Sequence, residues 1–513
     1  MTSLDSLVKD LNIAIRTADR SAQLCCSSAI AFAALIGGSP AVRAADFNFT
    51  YAPGVSFEQM LNFEIAGEIW SDYLADDATI NIFVEATDKL PDKVIGGALP
   101  GIKAQQSYWE FQNQVAADRA SSADYIAYNH MEKGSTYKAW FDLYTNNINQ
   151  GDEAATQTIE LTRANAKALG LLNRDSAGLD GYILINDLED ESVEWNYDVQ
   201  ASSTPNRSLD YLSVALHEIG HVLGFISGVD RPGWLDSRVS SSQERQAYTQ
   251  SLDTRITHAT PLDMFRYNPE SQSRRVNDLS LGGDKFFSID RGETAIAYLA
   301  TGAAGGLGGD GYQASHWRKQ ADHLGIMDPV LEVGQRRQIS DLDRLAMDVI
   351  GWDLQPGGAS LATLYSQSLN QLAQKMGVTL EWMMANPAAA ALLLTPTWLD
   401  DDNDNLDDRG ELLQDMVVSS QVYEWGWSGY WWGWSGYWWG WSGYWQEHGD
   451  LDDLSKAGFW QNFSWQTANL PTTGIQTTSA SVPEPTSTIG LLGLGLLGLG
   501  SLLRQHRQNI TRR

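Results

Sequence analysis

The sequence predicts an α+β protein, and three stretches of pattern carry that expectation. Apolar residues recur at helical spacing from about Phe57 to Leu74. Thr79-Ile80-Asn81-Ile82-Phe83-Val84 then alternates as a strand does, and Gly181-Tyr182-Ile183-Leu184-Ile185 reads as a second strand, near the sheet edge or fully buried. A further helix follows from Leu209 to about Leu223, with Ser208 as the expected N-cap and Gly224 placed to end it. Helix, strand, strand and helix is an order that does not alternate as βαβ units would.

Each later element has its own signal. Thr301 to Gly311 is glycine-rich and reads as a tightly turning or mobile loop. Pro356-Gly357-Gly358, just after Trp352-Asp353, is read as a domain boundary. Beyond it a small helical region is expected, with helices over Ala362 to Lys375, stopped near Gly377, and over Leu380 to Leu394, broken at Asn386-Pro387. The polar stretch from His448 to Ser481 reads as a linker. The expected organisation is 1–44 signal segment, 45–355 main domain, 356–447 helical region, 448–481 linker and 482–513 C-terminal tail.

A chain of 513 residues can bury a large core and carry appendages. Its formal net charge of -29 argues against a nucleic-acid partner, because a phosphate backbone would be repelled over most of the surface. The two cysteines, Cys25 and Cys26, both lie in the N-terminal segment expected to be removed. The mature protein is therefore expected to have neither a disulfide nor a thiolate metal ligand.

That segment carries Lys9, Arg16 and Arg20, an apolar run from about Leu24 to Ile36, and Val42-Arg43-Ala44 as a small-residue cleavage site. It reads as a secretory signal peptide, since the run is shorter than the ~20 apolar residues that span a bilayer. At the other end, Val482-Pro483-Glu484-Pro485 precedes an apolar stretch from Ser487 to Leu503 and then Arg504, Arg507, Arg512 and Arg513. A stretch of that length can just cross a membrane, leaving the arginines on the cytoplasmic side and the body outside. This three-part tail resembles the PEP-CTERM sorting signal of exported bacterial proteins. The resemblance implies recognition and cleavage by an exosortase-type enzyme.

An internal repeat, Trp-Gly-Trp-Ser-Gly-Tyr-Trp, occurs three times in succession over 425–445. Two glycines per unit and no aliphatic a/d positions rule out a coiled coil. Its rings could stack on sugars or on each other, but nothing polar is placed to orient a ligand, and no function is drawn from it.

His217-Glu218-Ile219-Gly220-His221 is the strongest chemical signal. Residues four apart share one helix face, so both imidazoles can reach one zinc ion. Glu218 is offset by about 100° and can reach a water on the metal, as a general base does. Zinc needs a third protein ligand. The continuation Val222-Leu223-Gly224-Phe225-Ile226-Ser227 puts serine where the compact metzincin motif has a histidine or aspartate. The other histidines are His130, His258, His316, His323, His448 and His506. His316 stands out by its setting, Gln313-Ala314-Ser315-His316-Trp317, followed by Gly325-Ile326-Met327-Asp328-Pro329, and His258 is the second candidate.

From Leu209 to Asp353 the sequence resembles the leishmanolysin-like branch of the metzincins, which separates its third histidine from the helix motif by a long insertion. The resemblance implies a zincin-type catalytic domain with a mixed β-sheet. It implies His217, His221 and His316 as zinc ligands, Glu218 as general base, and Met327 as the floor of the site. The missing cysteines depart from that branch and exclude latency through a thiolate on the zinc. The expected activity is hydrolysis of peptide bonds in exposed protein segments. A matrix-associated binding protein with an inactive domain and a zinc hydrolase acting on a non-peptide bond are the alternatives.

A second metal is expected at Asp400 to Glu411. Asp400, Asp402, Asp404, the Leu406 carbonyl, Asp408 and Glu411 fall at the ligand positions of a calcium loop and resemble the EF-hand, although Asn405 stands where glycine is usual. A solvated acidic turn is the competing reading.

Overall fold

The computed structural model describes residues 44–88, 90, 93–145, 148–188, 192–230, 259–303, 308–395 and 464–469. They belong to one compact unit, Arg43–Arg513, of mixed α+β class. Six strands form the main sheet: β1 (Asp46–Tyr51), β2 (Thr79–Thr87), β3 (Val94–Pro100), β4 (Gly181–Asn186), β5 (Val330–Glu332) and β6 (Ser464–Asn469). Their spatial order is β1-β2-β4-β3-β6-β5. Strands β1, β2 and β4 run parallel, β3 is antiparallel to both β4 and β6, and β5 is parallel to β6.

Strand β1 shows why one sheet face is the core. Phe47, Phe49 and Tyr51 alternate with more exposed residues and stack along the strand, with successive ring centroids 6.1 Å apart. They meet helix α1 (Phe57–Tyr73), where Phe63 tilts onto Phe49 at 5.7 Å. Ser56 and Gln59 start that helix with a reciprocal capping box. Strand β4 is buried from Gly181 to Ile185 and sits inside the sheet between β2 and β3, so of the two positions its apolar run allows, sheet edge or full burial, it takes the second.

The helix that matters most crosses this sheet. It spans Tyr211–Leu223 and, counting α2 (Tyr108–Asp118), α3 (Ser122–His130) and α4 (Arg163–Ala168) before it, is α5. All its residues are buried, because it packs on β3 from one side and α1 from another. Gly181 makes the approach to the sheet possible, since a Cβ there would lie 2.3 Å from Val222 Cγ2. Two indoles brace the helix: Trp70 Nε1 donates to Leu216 O at 3.0 Å and Trp352 Nε1 to Leu223 O at 2.8 Å.

The start of α5 corrects the expectation at Ser208. Ser208–Asp210 is a short strand paired with Glu194–Asn196, and the cap is Asp210. Its carboxylate accepts Ser213 N at 3.0 Å and the Ser213 hydroxyl at 2.7 Å, while Arg336 Nε donates to it at 2.8 Å. An anion with three donors outcompetes a serine two residues earlier. Gly224 ends the helix as expected, at φ +123.

After the described chain resumes at Ala259, a three-stranded sheet of Arg266–Tyr267, Lys285–Phe287 and Ala297–Leu299 leads towards His316. Helix α6 (Asp341–Gly351) then returns against α3. Helices α7 (Leu361–Met376), α8 (Leu380–Ala385) and α9 (Pro387–Leu394) follow, with the stop at Gly377 and the break at Asn386 where the sequence places them. Residues 356–358 lead the chain straight back onto α1: Asp72 Oδ2 accepts Gly358 N at 2.7 Å, and α7 packs on that helix.

The segment read as a polar linker differs in part. Ser464–Asn469 forms β6, filling the space between β3 and β5. A free edge on β3 offers unpaired backbone donors and acceptors, and a stretch containing the strand formers Trp465 and Thr467 can satisfy them. Among the described residues no helix is long and apolar enough to cross a membrane. The N-terminal segment before residue 44, the acidic loop Asp400 to Glu411, the aromatic repeat and the C-terminal tail lie outside the described residues.

Candidate metal centre

Three imidazoles converge at the middle of α5. His221 Nε2 lies 3.0 Å from His217 Nε2, which lies 3.2 Å from His316 Nε2. Two nitrogens bound to one tetrahedral zinc at ~2.0–2.1 Å stand ~3.3 Å apart, so this spacing is that of a ligand set. All three residues are buried.

The hydrogen bonds fix which nitrogen faces inward. His217 Nδ1 is 2.7 Å from Ile326 O, His221 Nδ1 is 2.8 Å from Phe225 O, and His316 Nδ1 is 3.1 Å from Gln313 O. A carbonyl oxygen only accepts, so each Nδ1 carries the proton and each neutral ring turns a bare Nε2 lone pair inward. Burial, and then the neighbouring imidazoles, hold His217 and His221 well below the usual imidazole pKa. Three lone pairs pointing at one place repel each other unless a cation lies among them. Carbonyl partners on the outer nitrogens are also what orients zinc-binding histidines.

Glu218 completes the group. Both of its carboxylate oxygens are buried and accept no hydrogen bond from any described residue. Burial pushes its carboxyl well above the usual range. A buried carboxylate left without a donor is costly, and a water held beside a cation is a partner that would satisfy it. Room for it comes from Gly96 on β3, where a Cβ would lie 2.8 Å from Glu218 Oε1.

The third histidine reaches α5 through the turn that follows it. Trp317 N donates to Met327 O at 3.0 Å, and Ala300 N donates to His316 O at 3.0 Å. Met327 is fully buried against the ligand helix: a Cβ on Gly220 would lie 2.4 Å from Met327 Sδ. Gly220 thus leaves space for a methionine between the two ligand positions.

The other sequence candidates stand elsewhere. Ser227 donates to Asp263 Oδ1 at 2.6 Å and so belongs to the clamp that holds the chain leaving α5. His130 ends α3 and is bonded to Ile126 O at 2.8 Å, and His323 faces Asp328 at 3.1 Å. His258, His448 and His506, with Asp400, Asp402, Asp404, Asp408 and Glu411, lie outside the described residues. Sequence reasoning missed the carbonyls of Phe225, Gln313 and Ile326 because backbone groups leave no residue-type signal. It also missed Gly96, whose role depends on a strand and a helix distant in sequence.

The fold and the three-imidazole cluster define a mixed α+β protein with a candidate transition-metal centre. Residues 481–505 match the family model of the PEP-CTERM protein-sorting motif. That motif indicates export to the cell envelope or beyond and implies recognition by an exosortase-type processing enzyme. No curated protein and no solved structure matches the chain.

Proposed function

We propose that the chain is a zinc-dependent endopeptidase of metzincin type, acting outside the cytoplasm. The carrying observation is the convergence of three Nε2 atoms, with His221 Nε2 3.0 Å and His316 Nε2 3.2 Å from His217 Nε2, and the carboxylate of Glu218, without a donor among the described residues, on the same helix. His217, His221 and His316 would hold the metal and leave a fourth position open.

Bound zinc supplies Lewis acidity at a substrate carbonyl and lowers the pKa of a water. Glu218 would take a proton from a water as that water adds to the carbonyl carbon and would pass it to the leaving nitrogen, so that the peptide C–N bond breaks and a carboxylic acid and an amine are released, which ionise to carboxylate and ammonium. Met327 and Trp70, both fully buried, pack at Gly220 between the two helix ligands and would hold that turn of the helix in place.

The test compares zinc content and casein cleavage in wild type, Glu218→Ala and His316→Ala. Zinc is retained in Glu218→Ala while cleavage falls by at least ~10²-fold, and His316→Ala loses zinc. Normal zinc binding in His316→Ala overturns the ligand set. A zinc-loaded wild type that cleaves no protein overturns the peptidase reading and favours a binding role or a non-peptide substrate.

A further inference from the structure

Five aspartates meet where the ends of four helices come together. Asp76 follows α1, Asp118 ends α2, Asp124 lies in the first turn of α3, Asp348 lies near the end of α6, and Asp353 follows it. One carboxylate oxygen from each of Asp76, Asp118 and Asp353 lies within 4.8 Å of the other two. The backbone holds two of them in place: Ala75 N donates to Asp353 O, and Asp353 N to Asp76 Oδ2, both at 2.8 Å.

Like charges so close repel, and the leading charged groups acting on Asp76, Asp118, Asp348 and Asp353 are other aspartates. Burial first, and then the neighbouring carboxylates, push Asp76 and Asp348 up to about 7 and Asp118 up to about 8.

Asp348 adds a separate observation. It is 5% exposed, and its Oδ2 accepts the Ser121 hydroxyl at 2.6 Å, but its Oδ1 is buried and accepts no hydrogen bond from any described residue. Its carboxylate and those of Asp118, Asp124 and Asp353 are near enough for their charges to repel. Asp353 Oδ1 is likewise shut from solvent without a donor. Buried carboxylate oxygens with neither donor nor counter-ion are costly, and a cation removes both deficits.

We propose that Asp76, Asp118 and Asp353 are direct ligands of a structural calcium ion, with Asp124 and Asp348 supplying charge around it. Calcium takes oxygen ligands at ~2.3–2.6 Å in flexible geometry, which sets those oxygens up to ~5 Å apart. The donor set has no nitrogen or sulfur to favour zinc, and magnesium demands a stricter octahedron. The ion would join the ends of α1, α2 and α6. This site is independent of the zinc reading.

The full-length chain, kept at constant zinc in calcium-free buffer, is titrated with calcium chloride while bound calcium and thermal unfolding are measured. Wild type binds calcium and its Tm rises by about 5 °C at calcium a hundredfold above Kd. Asp118→Asn/Asp353→Asn loses that bound calcium and the shift, whereas Asp402→Asn/Asp404→Asn keeps both. The proposal is overturned if wild type binds no calcium, if Asp118→Asn/Asp353→Asn binds as much as wild type, or if magnesium gives the same shift. Where the aspartate pair variant does not fold, loss of the calcium response in Asp402→Asn/Asp404→Asn overturns it, and retention supports it.

Discussion

Asp343 Oδ1 accepts the indole N–H of Trp317 at 2.8 Å, which ties the residue after His316 to the first turn of α6. The same carboxylate accepts Ile326 N at 2.8 Å, Met327 N at 3.3 Å, and both Ser340 N and the Ser340 hydroxyl at 2.7 Å. One buried anion therefore holds the third histidine's segment, the methionine turn and a helix N-terminus together. The turn it fixes presents the Ile326 carbonyl to His217.

Asp343→Asn puts an NH2 group among donors and loosens that turn. Zinc affinity is expected to fall by about 10–100-fold, as it does when partners behind a metal ligand are lost. A competition titration with a zinc-sensitive dye measures it. Trp317→Phe, which removes one donor and keeps the ring's bulk, should give a smaller fall.

Gly220→Ala is expected to destabilise the protein although alanine is the better helix former by about 1 kcal/mol. The new Cβ would meet Met327 Sδ at 2.4 Å and Met327 Cε at 3.2 Å. Overpacking of that kind costs about 1–3 kcal/mol, read as a lower urea midpoint. Met327→Ala in the same chain relieves the clash, so the double variant should be more stable than the sum of the single changes.

Local pattern made the ligand helix and its neighbours legible. Four-residue spacing set His217 and His221 on one face, Gly224 marked the helix end, and the apolar run at Gly181 marked a buried strand. His316 was found through Met327 nearby, and the two do meet α5 together. Asp343 and Gly96 were not legible, because their roles arise from contacts across long loops and leave no periodic trace. The helix cap is Asp210, two residues past the Ser208 that local pattern favours, because Arg336, far along the chain, strengthens it.

Asp328 gives stability a pH dependence outside the histidine cluster. Burial, only partly opposed by the hydrogen bond from His323, pushes its carboxyl from the ordinary 3.8 up to about 6. The folded state thus holds this proton more tightly than the unfolded state. The associated stability is complete below pH 4 and is lost as pH rises through about 6. Asp328→Asn removes the effect: relative to this variant, wild type should lose roughly 1–3 kcal/mol between those limits. Urea midpoints of both proteins at pH 4.5, 5.5 and 6.5 measure the difference, and parallel profiles would contradict it.

Gly96→Ala separates metal binding from proton transfer. A Cβ at this position lies 2.7 Å from Val214 Cγ1 and 2.8 Å from Glu218 Oε1. Val214 is packed inside α5, so the carboxylate end of Glu218 is the part that can yield. The three imidazoles are held by the carbonyls of Ile326, Phe225 and Gln313, none of which is among the atoms nearest the added Cβ, and they need not move. Zinc stoichiometry should therefore be unchanged, while a displaced general base lowers kcat by ~10²-fold for a shift near 1 Å. KM should change less than kcat, since the new methyl group meets the carboxylate of Glu218 and none of the three imidazoles. Loss of zinc together with activity would show instead that the whole helix has moved, and that β3 sets the height of the ligands as well as the space for the glutamate.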